Sequence, residues 1–272
     1  NVGGTTSLNG NITTTGSQTY NDNVTITNNP TLTGNEITFN ETVDGNSNLT
    51  LNAGAGNLTF AQAIGNTTAL ANIIANSTGI TAFNTVNAAS LLTNVGGTTS
   101  LNGNITTTGS QTYNDNVTIA NNPTLAGNEI TFNETVDGNS HLTLNAGTGN
   151  LTFGNAVNVN SLTTTAANTN IANNITTAGN QTYNGDVNLT GNNSNQELKS
   201  NIGNIEFNGN VAAGNNNVTL TADDIKLPES PTTTTGTGNL TIQSATANRN
   251  ITLGNEIAGT LNLTSAEIAG LA

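Results

Sequence analysis

The stretch "AQAIGNTTALANIIANSTGITAF", residues 61–83, is present in the first copy of an internal repeat and missing from the second. Residues 1–60 return as 94–153 at a spacing of 93, with four changes: Thr27 to Ala120, Thr33 to Ala126, Asn48 to His141 and Ala55 to Thr148. Phe83 through Tyr113 then aligns with Phe153 through Tyr183 at a spacing of 70. The difference, 93 − 70 = 23 residues, is the length of 61–83. That loss separates two architectures. Tandem immunoglobulin-like sandwiches, each of about 100 residues with a closed core, would lose two strands and be opened. A solenoid, held by stacking of nearest neighbours, can drop one whole coil and close over the gap. The aromatic landmarks Tyr20, Phe39, Phe60 and Phe83 follow at 19, 21 and 23 residues. The predicted fold is therefore all-β, a parallel β-helix (β-solenoid) with coils of about 18–23 residues, four or five coils to the repeat.

Within each coil the apolar residues alternate with polar ones over short runs, as in "NLTL", "NEITF" and "NVTI". This is the period of a strand with one buried face, so Ile37 and Phe39, or Leu49 and Leu51, point inward while Thr38 and Thr50 point out. Asn, Gly and the pairs Asp44-Gly45 and Asp137-Gly138 lie between the runs and suit corners. Something like 13 coils at about 4.8 Å each predicts a rod on the order of 60 Å long. Uncharged Asn and Thr, recurring at equivalent places, are expected to form side-chain ladders where like charges would repel.

Composition narrows the function classes. Only 7% of residues are charged and 3% aromatic, with no Cys, Met or Trp. Val, Ile, Leu and Thr in alternating runs exclude a disordered chain, which is usually rich in charge and Pro. The net charge of −13 sets 16 acidic residues against Lys199, Lys226 and Arg249. Nucleic acid is not an expected partner, because phosphate binding needs a basic footprint. No run reaches the roughly 18 apolar residues of a membrane-spanning helix. The chain opens at Asn1, part-way through a repeat, and reads as a processed chain or a piece of a longer one. Absence of Cys excludes a disulfide framework.

The domain organisation follows the repeats: a first repeat over 1–93, a second over 94–163, a divergent third over 164–226, a loop or coil insertion at 227–235 ("LPESPTTTT"), and terminal coils over 236–272. The run "GNEITFNETVDGNSNLTLNAGAGNLTF", then "TALANI" and "FNTVNAASLLTNVGGTTSLNGNITTTGSQTYND", resembles repeats of large filamentous-haemagglutinin-like surface proteins of Gram-negative bacteria, cyanobacteria included. The tail "GTGNLTIQSATANRNITLGNEIAGTLNLTSAEIAGLA" is similar to a segment of the same proteins in which an L-x-L-[ST]-x-x-E-[IL] stretch closes a unit. The resemblance implies a right-handed helix, export across the outer membrane, and roles in adhesion, aggregation or biofilm.

Parallel β-helices also carry pectin-cleaving enzymes, and glycosidic hydrolysis needs carboxylates converging on one bond. The densest acidic group is Glu36, Glu41 and Asp44, copied as Glu129, Glu134 and Asp137. Duplication of the whole set favours a solvated or structural role, since one active site needs one set. Asp223-Asp224 beside Lys226 reads as a turn or coil edge. His141, the one histidine, stands where the first copy has Asn48 and reads as a solvent-facing substitution, without the partners a metal site needs. The calcium nonapeptide of β-rolls is absent, and "VGGTTS" lacks the GK[ST] of a phosphate loop. Asn-x-[ST] triplets such as that at Asn11 follow from an Asn- and Thr-rich composition. Thr-x-Thr units such as Thr13 to Thr15 raise ice binding, but do not recur in every coil.

The expectation is a structural or adhesive fibre protein of the cell surface or extracellular space, not an enzyme, without catalytic, cofactor or metal residues. Self-association, end to end or lateral, and cell-surface or matrix glycans are the expected partners. A polysaccharide-active enzyme on the same fold is the alternative, and ice binding the minor one.

Overall fold

The computed structural model describes residues 3–191, 195–229 and 233–271. The chain is all-β, 58% strand and 2% helix, and its parallel strands stack into a β-solenoid of about 12 turns. Contacts group it into two compact units, Asn1–Thr135 and Val136–Ala272.

In the first unit most turns contribute three short strands, and two turns carry one eight-residue strand, Leu70–Ser77 or Val86–Thr93, in place of two of them. The first turn is Thr5–Leu8, Ile12–Thr13 and Ser17–Tyr20, and the next is Asn23–Ile26, Thr31–Thr33 and Glu36–Phe39. Each strand pairs in parallel with its counterpart one turn on: Thr5 faces Asn23, Ile12 faces Leu32 and Ser17 faces Glu36. Turn length varies from 18 residues (Ile80 to Thr98) to 24 (Leu49 to Ile73), one residue beyond the range read from the sequence. The alternation places Ile37, Phe39, Leu49 and Leu51 in the interior, all at most 1% exposed. Burying one side of every strand along a narrow axis lets six Phe and three Tyr suffice. Corners need special backbone: Gly45 has φ 136°, and a Cβ there would lie 2.2 Å from the Ile26 carbonyl oxygen. Asn28 and Asn29, with φ of 54° and 52°, make the left-handed corner before Pro30, and Asn121 and Asn122 repeat it before Pro123.

Residues 61–83 form one full turn. Leu58 pairs with Thr81, and the rings of Phe60 and Phe83 stack 5.4 Å apart. Phe83 in turn faces Leu101. In the second unit Phe153, the copy of Phe60, faces Ile171, the counterpart of Leu101, with no intervening turn.

Two features of the repeat emerge only from the stacked structure. The 93-residue repeat is not a whole number of coils. Ser17–Tyr20, Glu36–Phe39, Leu58–Phe60, Ile80–Phe83 and Thr98–Leu101 form one column, so Thr98–Leu101 lies four turns beyond Ser17–Tyr20. The copy of Ser17–Tyr20 is Ser110–Tyr113, two strands further on, past Ile105–Thr107. The repeat thus spans four turns and two-thirds, and its copies occupy different faces. Stacking requires matched inward and outward alternation between neighbours, and this sequence offers the same alternation on every face. The aromatic column Tyr20, Phe39, Phe60 and Phe83, with ring spacings of 4.9, 5.0 and 5.4 Å, therefore ends on Leu101, while Tyr113 and Phe132 begin another, 5.0 Å apart.

The 70-residue spacing, which holds at Phe153 and Ile171, slips by one residue between them. Val86 faces Ile105 and Leu91 faces Gln111, whereas Val157 faces Ile175 and Leu162 faces Gln181. A strict spacing would put Ala156 and Ser161 there. Shifting by one brings Val157 and Leu162 inward, because a one-residue slip exchanges the two faces of a strand.

Of the 227–235 segment, residues 230–232 lie outside the described residues; Leu227 is buried and Thr234 begins the strand Thr234–Gly236. Beyond the coil strand Leu240–Ser244, Ile251–Gly254 pairs in parallel with Leu261–Thr264 only ten residues later. The helix Ser265–Ala269 follows. The Thr264 hydroxyl accepts from Glu267 N, and the Glu267 carboxylate accepts from Thr264 N, a reciprocal cap.

Candidate functional site

The polar groups of the repeat act mainly between turns. Asn side chains form ladders along outward columns: Asn40 Nδ2 donates to Asn21 Oδ1 at 2.6 Å, Asn76 to Asn52 at 2.8 Å and Asn208 to Asn184 at 2.9 Å. Other Asn residues use the side-chain oxygen as a staple for a backbone N–H one turn away. Asn11 accepts from Thr31 N, Asn57 from Ile80 N and Asn180 from Asn204 N, each at 2.9 Å. These staples satisfy corner donors that the strand ladder does not reach.

The carboxylates do the same work. Asp44 Oδ1 accepts from Thr67 N at 2.8 Å and Thr68 N at 3.0 Å, which places it against the corner of the next turn. Asp186 holds Asn210 N at 2.9 Å. Asp223 accepts from Thr246 N at 3.1 Å and lies 3.4 Å from the Arg249 guanidinium, while Asp224 accepts from Asn262 N at 3.0 Å. The Asp223-Asp224 pair is thus a coil edge that ties down the C-terminal segment. Lys226 contacts Glu206 at 2.7 Å, and that hydrogen bond pushes the Lys226 amine above its ordinary range. Both partners are substantially solvated, so the pair adds little stability. Glu267 is buried and reaches back to Leu227 N at 2.8 Å. Glu36, Glu41, Glu129, Glu134 and Asp137 are exposed and Asp44 is half-buried. Among the described residues no group of three or more His, Cys, Asp or Glu is placed to hold a metal ion. His141 is exposed; its ring contacts the Ser161 hydroxyl and, at 3.2 Å, the Asn160 amide one turn on. It continues in its copy the between-turn role of Asn48, which accepts from Asn72 N at 3.1 Å.

One network escapes sequence reasoning. Gln111 is completely buried, and its Nε2 donates to the Ala126 carbonyl of the next turn at 2.8 Å and to Thr107 Oγ1 at 3.3 Å. Thr107 Oγ1 donates to the Gly109 carbonyl, and the Tyr113 hydroxyl donates to Gln111 Oε1 at 3.0 Å. The same network recurs at Thr14, Gly16, Gln18 and Tyr20 and at Thr177, Gly179, Gln181 and Tyr183. Burial pushes the phenols of Tyr113 and Tyr183 far above their ordinary range, so each stays a donor. The shared pattern T-x-G-x-Q-x-Y is the signal that could have found it: a polar Gln at an inward place of an alternating strand requires internal partners.

Comparison with protein-family models, curated proteins and solved structures gives no match.

Proposed function

We propose that this chain is a structural and adhesive element of the extracellular space or bacterial cell surface, of the filamentous-haemagglutinin-like kind that its repeats resemble. The observation that carries the reading is where the polar groups go. Asp44, Asp186, Asp223 and the buried Gln111 amide hold one turn to the next, and the outward columns present uncharged Asn in register. Such a surface offers repeated amide and hydroxyl contacts to matrix glycans or to another copy, and its cohesion depends little on salt, because hydrogen bonds between uncharged groups make up most of the links between turns.

Immunogold electron microscopy of the source cells, paired with cell-aggregation and surface-attachment assays on a strain lacking the chain, tests the proposal. Label on the outer surface and reduced attachment are expected. Label confined to the cell interior would overturn it. So would turnover of a polysaccharide panel by the purified chain, which identifies the enzyme alternative, or thermal hysteresis, which identifies ice binding.

A further inference from the structure

The interior of the second unit is not filled throughout. A cavity of about 250 Å³ lies inside its coils, lined by residues of Gln181–Leu189, Val211–Gly214 and Thr234–Gly236 among others. Its origin is legible in the side chains of these three stacked strands. Val187 faces Val211, and Val211 faces Thr234. Two residues after each stand Leu189, Ala213 and Gly236, so the side chain shrinks from one turn to the next. The register also shifts at Ala213, since Ala212 pairs with Thr235 but Gly214 with Gly236. Gly236 cannot carry a side chain to make up the loss, because a Cβ there would lie 2.9 Å from Ala213 Cβ. A close-packed interior leaves few voids larger than a water molecule, so one of this size is unusual.

The cavity has structure on both sides. Below it lie Leu189 and Phe207; above it the Gly270 carbonyl accepts from Thr234 N at 2.9 Å, and Leu271 bridges Thr234. Phe207, Val218, Leu220 and Leu227, each at most 3% exposed, make apolar walls. Leu240 and Leu271 also line it while 37% and 40% exposed, so it is reachable from solvent on their side. No described residue that lines it carries a charge.

One polar group in the lining stands out. Thr234 continues the column of Val187 and Val211 and is 8% exposed, yet among the described residues its hydroxyl has no hydrogen-bond partner. Other buried threonines are supplied: Thr99 donates to Asp115, Thr107 to the Gly109 carbonyl and Thr177 to the Gly179 carbonyl. Thr81 shares the lack but does not line this cavity. A buried hydroxyl without a partner is costly, whereas valine would fill the same place at no such cost.

We propose that this cavity binds a small, uncharged, mostly hydrocarbon molecule carrying one hydroxyl or carbonyl group, which completes the hydrogen bonding of Thr234. Apolar walls with one or a few placed polar groups are the usual make-up of a small-molecule site. An apolar cavity of about 150 Å³ takes benzene, so this one accommodates roughly ten non-hydrogen atoms, the size of a medium-chain alcohol or ester. A carboxylate of the same length is rejected, since its charge would be buried without a partner.

Titration of the full chain with 1-octanol, followed by methyl NMR of Leu and Val, tests the site. Saturable shifts are expected at Leu189, Val211, Val218 and Leu220, with none from octanoate at equal concentration. Thr234→Val is expected to bind 1-octanol about tenfold more weakly and n-hexane, which lacks the hydroxyl, as tightly as the parent does. In the ligand-free chain the same substitution raises Tm, because it removes the unpartnered hydroxyl. Ala213→Leu, which fills the space, is expected to abolish binding of both probes. Absence of saturable 1-octanol binding, octanoate bound as tightly as 1-octanol, or a Thr234→Val chain that binds 1-octanol like the parent would overturn the proposal. So would a lowered Tm for ligand-free Thr234→Val, which would show the hydroxyl to be satisfied already. None of these outcomes bears on surface labelling or attachment.

Discussion

Removing residues 61–83 in one piece is expected to leave a folded chain, whereas removing only 61–72 is expected to destroy the first unit. The longer cut joins Phe60 to Asn84 and places Leu58 over Thr99, Phe60 over Leu101 and Leu49 over Leu91. Each of these pairs already exists in the second copy, as Leu151 over Thr169, Phe153 over Ile171 and Leu142 over Leu162. The cost is one turn out of about 12. At about 0.05–0.15 kcal/mol per residue, 23 residues correspond to about 1–3 kcal/mol of unfolding free energy, with no new cavity to add to it. The shorter cut removes Ile64, which bridges Val43 and Val86, and leaves Ile73–Phe83 attached to the wrong face. It strands buried apolar residues without neighbours, a loss of more than about 5 kcal/mol. Urea unfolding followed by far-ultraviolet circular dichroism measures both, with the slope of the transition reporting the surface exposed. If the 23-residue cut cost as much as the 12-residue cut or more, turns would not be the units of stability, and the nearest-neighbour account would be refuted.

Two further perturbations use the copies as internal controls. Tyr113→Phe leaves the Gln111 side-chain Oε1 without this donor in a fully buried site and is expected to cost about 1–2 kcal/mol, while Tyr20→Phe at the half-buried copy costs less than about 0.5 kcal/mol; equal losses in chemical denaturation would refute the network's dependence on burial. Asp115 is buried, and that burial raises its carboxyl pKa above the ordinary 3.8 against the opposing hydrogen bonds from Gly97 N and Thr99 Oγ1. A raised folded pKa means that the folded state holds this proton more tightly than the unfolded chain does. Its effect is most favourable below 3.8 and is lost as pH rises through the folded value. Asp115→Asn is therefore expected to raise Tm at pH 7 and to change it little at pH 3; a fall in Tm at pH 7 would show the charged carboxylate to be stabilising.

The solenoid was legible because two signals converge: a loss of one coil's length and the period-two alternation of runs such as "NEITF". The inward residues followed directly from that alternation. The faces did not, because Leu, Ile, Thr and Tyr satisfy the same inward pattern on any side of the coil, so nothing local reveals that the repeat closes after four turns and two-thirds. The one-residue slip at Val157 and Leu162 was hidden for a related reason: alignment by identity scores letters, whereas stacking responds to which face a side chain takes. Gln111 was missed because a polar residue among Thr and Ser reads as surface until its partners one turn away are known. The sequence suggested a structural or solvated-turn place for Asp44 and a turn or coil edge for Asp223, and their action as acceptors for backbone N–H groups needs the stacked geometry.

The three cations lie at Lys199, Lys226 and Arg249. A trypsin-like protease, which cuts after basic residues, therefore has no cleavable bond in the first 198 residues, whatever their state of folding. Lys226 and Arg249 are moreover engaged with Glu206 and Asp223. Against proteases of that specificity the first 198 residues are protected by composition, before packing adds anything.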